Sequence, residues 1–175
     1  MKKYCLLIVV LFSFLLVRNV DALNLDLMWH KDYVYGADQY FSDAYETRDG
    51  GVVVVGSTYA NENPIYGDYN LDSYSIIAKY DKEGNLIWDK CIENSIELVS
   101  VVEDDEENIY AIGYIFSFLN KDVMRNSILF NFDKEGNLLF EKKYLFGTYD
   151  DEEYKKISFN NGYLYVLGKY KHMNL

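Results

Sequence analysis

Lys79-Tyr80-Asp81-Lys82-Glu83-Gly84-Asn85-Leu86-Ile87-Trp88 returns 52 residues later as Asn131-Phe132-Asp133-Lys134-Glu135-Gly136-Asn137-Leu138-Leu139-Phe140. In both copies a polar five-residue segment, with glycine where the chain must turn back, separates two runs suited to strands, which is the pattern of a β-hairpin. A second element recurs out of phase with the first. Val53-Val54-Val55-Gly56, Tyr110-Ala111-Ile112-Gly113 and Tyr165-Val166-Leu167-Gly168 share one pattern, spaced by 57 and then 55 residues. A third element is a large aromatic followed within three residues by lysine, at Trp29, Trp88 and Phe140. Short strands repeating at this period predict an all-β fold of four-stranded antiparallel blades, as in a β-propeller. The alternative is a β-sandwich that carries two similar hairpins.

The first unit, about residues 40–92, resolves into strands near 40–47, 51–58, 73–80 and 86–92. Arg48-Asp49-Gly50-Gly51 forms the first turn, rich in residues that tolerate positive φ. The second unit, about 96–145, repeats this at 96–102, 108–116, 126–133 and 138–145. A third, incomplete unit at about 153–170 holds strands near 153–159 and 162–170. An isolated strand near 26–33, equivalent to a fourth strand by its Trp29, precedes them. Residues 52–55 are continuously apolar, as expected of a strand buried on both faces between neighbouring sheets.

Asp49-Gly50-Gly51, Val55-Gly56, Lys79-Tyr80-Asp81, Gly84-Asn85 and Trp88 together resemble the blade repeat of bacterial exported β-propeller proteins. The resemblance covers residues 26–170. It implies a propeller of several blades and an extracytoplasmic place, and it carries no shared active site. The later units depart from it: Glu106-Glu107-Asn108 and Asn160-Asn161-Gly162 stand in place of Asp49-Gly50-Gly51, and Phe140 in place of the tryptophan.

Propellers hold about 4–8 blades of four strands, and two full units with part of a third fall short of a closed ring. The leading account is an open or truncated propeller, a piece of a longer one. The others are assembly with further copies of the chain, or a small open array standing alone.

Lys2 and Lys3, an apolar run over residues 4–17 broken only by Ser13, and Val20-Asp21-Ala22 have the order of a secretory signal peptide, residues 1–22. The run is shorter than the roughly 20 residues of a spanning helix. The expected mature domain is 23–175, secreted or at the cell surface, with no stable membrane insertion after cleavage. Without residues 1–22 the net charge of −11 becomes −13, because three basic residues and one acidic residue are lost. Such a charge repels phosphate backbones and disfavours nucleic acid as a partner. Cys91 alone would remain, so no internal disulfide is expected.

Motifs for chemistry are sparse. The acidic runs 103–107 and 150–153, and the Asp-Lys-Glu-Gly-Asn turns, offer oxygen donors but lack the spacing of a calcium loop, and read as solvated turns. His30 and His172 are the only histidines, too few for a histidine metal site or triad. No catalytic residue, metal ligand or cofactor is expected. The candidate ligand-contact loop is 57–72, where Tyr59, Asn61, Asn63, Tyr66, Asp68, Tyr69 and Asn70 combine aromatic area with hydrogen-bonding groups. The corresponding loop of the second unit is expected at about 117–125. The reading is a non-catalytic binding or scaffold module for protein or glycan. The alternatives are part of an extracellular propeller enzyme acting on polysaccharide or peptide, or a degenerate repeat fragment with no independent role.

Overall fold

The computed structural model describes residues 29–30, 38–59, 73–93, 96–119, 122–144 and 150–172. Residues 1–30 form a unit apart from residues 31–175. Of the first, only Trp29 and His30 are described, and neither is in a strand. The expected signal peptide lies outside the described residues.

The second unit is all-β. Its strands are β1 (Asp38–Glu46), β2 (Val52–Tyr59), β3 (Ser73–Tyr80), β4 (Leu86–Ile92), β5 (Ile96–Glu103), β6 (Ile109–Leu119), β7 (Asp122–Phe132), β8 (Leu138–Tyr144), β9 (Asp150–Asn160) and β10 (Tyr163–His172). They form two four-stranded meanders, β1-β2-β3-β4 and β5-β6-β7-β8, and the hairpin β9-β10, with every pairing antiparallel. Strands β1 to β10 lie close to where the repeat placed them, with two departures: the isolated strand expected near 26–33 is not a strand at its described residues Trp29 and His30, and most of the expected loop at 117–125 continues β6 and opens β7.

The turns follow from their residues. Asp81 accepts hydrogen bonds from the backbone N–H of Glu83 (3.0 Å) and Asn85 (2.7 Å) and from Asn85 Nδ2 (2.9 Å). Asp133 with Asn137, and Asp104 with Asn108, build the same closed turn. The β9-β10 connection is tighter: Asn161 and Gly162 both take positive φ, 51° and 78°, the two-residue turn that suits the twist of a hairpin.

Each first strand carries a bulge, between Phe41 and Asp43 on β1, between Leu98 and Ser100 on β5, and at Lys155 on β9. Gly56, Gly113 and Gly168 stand opposite these bulges. At the first two the strands approach so closely that a Cβ would fall 2.2 Å from the Tyr40 carbonyl oxygen and 2.0 Å from that of Glu97. This explains why one glycine recurs after each apolar run.

The sheets stack through their first strands. β5 packs on β1, β2 and β3, and β9 packs on β5, β6 and β7. Val53, Val55, Ile77 and Trp88 meet Leu98, Val101, Ala111 and Phe130 in one core; Val102, Ile112 and Leu129 meet Ile157 in a second. Burial on both faces holds for β6, where Ile109, Ala111 and Ile112 are all enclosed. On β2 it holds for one face: Val53 and Val55 are enclosed, while Val52 and Val54 are half-buried.

Candidate functional site

The bulge register makes Asp43, Ser100 and Lys156 equivalent, each being the first paired residue after the bulge. The three side chains meet. Asp43 Oδ2 accepts from Ser100 Oγ at 2.6 Å, from the Val101 backbone N–H at 3.1 Å and from Lys156 Nζ at 2.8 Å. Ser100 Oγ in turn accepts from the Ile157 N–H at 3.3 Å. Burial pushes the Asp43 carboxyl up, but the bonds from Lys156, Ser100 and Val101 outweigh it and hold the group below its ordinary value. A serine, a carboxylate and a lysine in contact have the makings of nucleophilic chemistry. Here the serine hydroxyl is consumed: Ser100 is 0 % exposed and fastens two strands of neighbouring units.

A second cluster lies further along the same strands. Tyr40 Oη donates to Glu97 Oε1 at 3.1 Å. Tyr114 also bonds to Glu97, and burial followed by that carboxylate pushes its phenol far up. The guanidinium of Arg125 sits 5.8 Å from the centre of the Tyr114 ring. It grips Asp151 through Nε (3.0 Å) and Nη2 (2.8 Å) and reaches Glu153 through Nη1 (3.0 Å). The Asp151 carboxylate also accepts the Arg125 backbone N–H at 3.0 Å. The acidic run 150–153 is therefore not a solvated turn. It is the start of β9, with Asp151 and Glu153 buried against sheet β5-β8.

At the opposite end of the strands, Lys79 is enclosed between Asp49 Oδ2 (3.0 Å) and Glu103 Oε1 (4.0 Å). Glu103 Oε2 accepts the Arg48 N–H at 2.7 Å. Burial pushes the Glu103 carboxyl up, while the Thr47 hydroxyl, against a smaller effect of burial, leads in drawing Asp49 down to about 2. Run 103–107 thus divides: 104–108 is a turn whose aspartate is used by its own backbone, and Glu103 is buried between sheets. Among the described residues no group of three or more His, Cys, Asp or Glu is placed to hold a metal ion.

Two open clefts mark the unit boundaries. One, about 470 Å³, lies between the β5-β6 turn (Asp104, Asp105, Asn108) and the β9-β10 hairpin (Phe159, Tyr163, Leu164). The other, about 460 Å³, runs between the end of β4, with Cys91 and Glu93, and the β7-β8 turn at Gly136, Asn137 and Leu138. Of the expected contact loop, Tyr59 ends β2. Asn61, Asn63, Tyr66, Asp68, Tyr69 and Asn70 lie outside the described residues. Sequence reasoning missed Asp43, Ser100, Lys156 and Arg125. It also missed Ser75 and Ser127, whose identity at a spacing of 52 residues was available by extending the turn repeat backwards.

No protein-family model matches the chain, and no curated protein matches it.

Proposed function

We propose that the chain is an exported module of β-propeller-type repeats that binds a protein or a glycan and does not catalyse a reaction. The observation that carries this reading is the Asp43–Ser100–Lys156 contact. First strands line the axis of a propeller, so an axial active site would draw on these positions. In this chain the groups at that level are bonded to one another and to backbone N–H groups of the next unit. The clefts at the unit boundaries, walled by turns and by Tyr110, Phe159 and Tyr163, remain open for contact.

The test has two arms. The intact mass of exported protein is expected to begin at Leu23. Purified protein is then presented to an immobilised glycan panel and to surface proteins of the source cell, and in parallel to chromogenic glycoside, ester and peptide substrates. Saturable binding without turnover is expected. Turnover that disappears in a folded Asp43→Asn variant would overturn the reading.

A further inference from the structure

The cleft of about 470 Å³ between the β5-β6 turn and the β9-β10 hairpin has two unlike walls. One is the acidic turn, with Asp104, Asp105 and Glu106. The other is apolar: Phe159 and Leu164 are half-buried, and Tyr163 is 68 % exposed. Tyr110, from β6, joins them. Among the described residues no lysine or arginine lines the cleft.

The hydrogen-bonding capacity left there is one-sided. Asn108 donates to Asp104 through its backbone N–H (2.9 Å) and through Nδ2 (3.1 Å), and the Tyr110 hydroxyl bonds to the same carboxylate. Those donors are spent. Of the lining side chains, what remains apart from the Tyr163 hydroxyl accepts only, above all the carboxylates of Asp105 and Glu106. A sugar hydroxyl both donates and accepts, and would be served on one side alone. Ammonium and guanidinium groups only donate, and their charge is drawn to carboxylates and to the faces of aromatic rings alike.

The same turn already holds cations of the chain itself. Arg48 donates through Nε to the Asp104 carbonyl at 3.0 Å and pairs through Nη2 with the Asp105 carboxylate. Lys134 pairs with Glu107 at 2.9 Å. Glu106 lies between those two acidic residues, lines the cleft, and has no ion-pair partner among the described residues.

We propose that this cleft receives a lysine or arginine side chain from a basic segment of a protein partner. The charged head lies against Glu106 and the Tyr163 ring, and the aliphatic stem lies on Phe159 and Leu164. The proposal rests on the binding role given above and assigns this cleft to protein over glycan. The net charge of −11 favours the approach of such a segment.

The probe is a short, end-blocked peptide in which lysine alternates with serine, and its control carries acetyl-lysine in place of each lysine. Both are titrated calorimetrically into the purified full chain at low salt. Saturable uptake of the lysine peptide is expected, with the acetylated control at least about tenfold weaker. Glu106→Gln is expected to weaken uptake about tenfold and Tyr163→Ala about fivefold. Glu83→Gln removes the same charge from an exposed turn outside the cleft, and is expected to change uptake by less than about twofold. All three positions are exposed, so the variants keep the fold. No uptake, equal uptake of the acetylated peptide, equal weakening by Glu83→Gln, or full affinity in Tyr163→Ala would each overturn the proposal. So would a glycan whose binding is lost in Tyr163→Ala. The glycan and surface-protein panels score the binding role on the same preparation: a ligand that binds independently of Glu106 and Tyr163, with no uptake of the lysine peptide, leaves that role standing and removes this site from it.

Discussion

Trp88 and Gly136 fit each other across a sheet boundary: the indole donates to the turn that Gly136 shapes, and any side chain at Gly136 would enter the ring. Gly162 offers the comparison. Its φ of +78° is nearly that of Gly136, but nothing stands within 4 Å of a Cβ placed on it. Gly162→Ala is expected to cost only left-handed strain, about 1 kcal/mol. Gly136→Ala adds displacement of Trp88 and is expected to cost about 3 kcal/mol. Urea unfolding of the two variants measures the difference, and equal losses would show that the indole contact adds nothing.

Ser75 and Ser127 fasten successive sheets to the strand that follows. Ser75 Oγ donates to the Ile96 carbonyl at 2.6 Å and accepts from the Leu98 N–H at 3.1 Å. Ser127 Oγ accepts the Tyr154 N–H at 3.2 Å. Removing a hydroxyl leaves buried backbone groups unsatisfied, at about 1–3 kcal/mol. Ser75→Ala, which strands two groups, is expected to cost about 2 kcal/mol, and Ser127→Ala about 1 kcal/mol. Chemical denaturation checks the order, and a larger loss in Ser127→Ala would contradict it.

Stability against pH has two limbs of opposite sign. Asp43, Asp49 and Asp151 titrate below their ordinary values in the folded chain. Their stabilising effect is complete above about pH 4, the unfolded value, and is lost as pH falls, through about 2 for Asp49. Glu103 is pushed up by burial. Between its unfolded value and its raised folded value the native chain holds more protons, so this group makes stability decline as pH rises. Urea midpoints from pH 3 to 8 are expected to peak on the acid side of neutrality. Glu103→Gln is expected to flatten the decline that sets in above the ordinary glutamate value, and an unchanged slope would remove Glu103 as its source.

Arg125 joins the last hairpin to the second sheet through a two-pronged grip on Asp151 and a third contact to Glu153. Lysine keeps the charge but not the fork. Arg125→Lys is expected to loosen β9-β10 locally by about 1–2 kcal/mol. Amide exchange in 150–172 is expected to quicken while β2 and β3 stay protected. Uniform acceleration throughout the chain would place the effect on global stability instead.

The strands and turns were legible because their causes are local. Asp81-x-x-x-Asn85 closes on itself, and apolar runs end at glycines that the bulges require. The contacts between units were not legible in the same way. Asp43, Ser100 and Lys156 occupy one repeated position with three chemistries, so no identity marks them. Residues 150–153 are all acidic, and a two-residue alternation of burial leaves no trace in hydropathy when every residue is charged. Only the position of Arg125 reveals that Asp151 and Glu153 point inward. The loop expected at 117–125 as the counterpart of 57–72 is shorter, because β6 runs on to Leu119 and β7 opens at Asp122.

The serine fastening also bears on how such a chain is enlarged. Ser75 reaches the opening strand of the unit after it, and Ser127 does the same one unit on. A tandem duplication of one unit therefore copies a clasp together with the strand that receives it. The Asp43, Ser100 and Lys156 contact is not copied in this way, because its three side chains differ from one strand to the next.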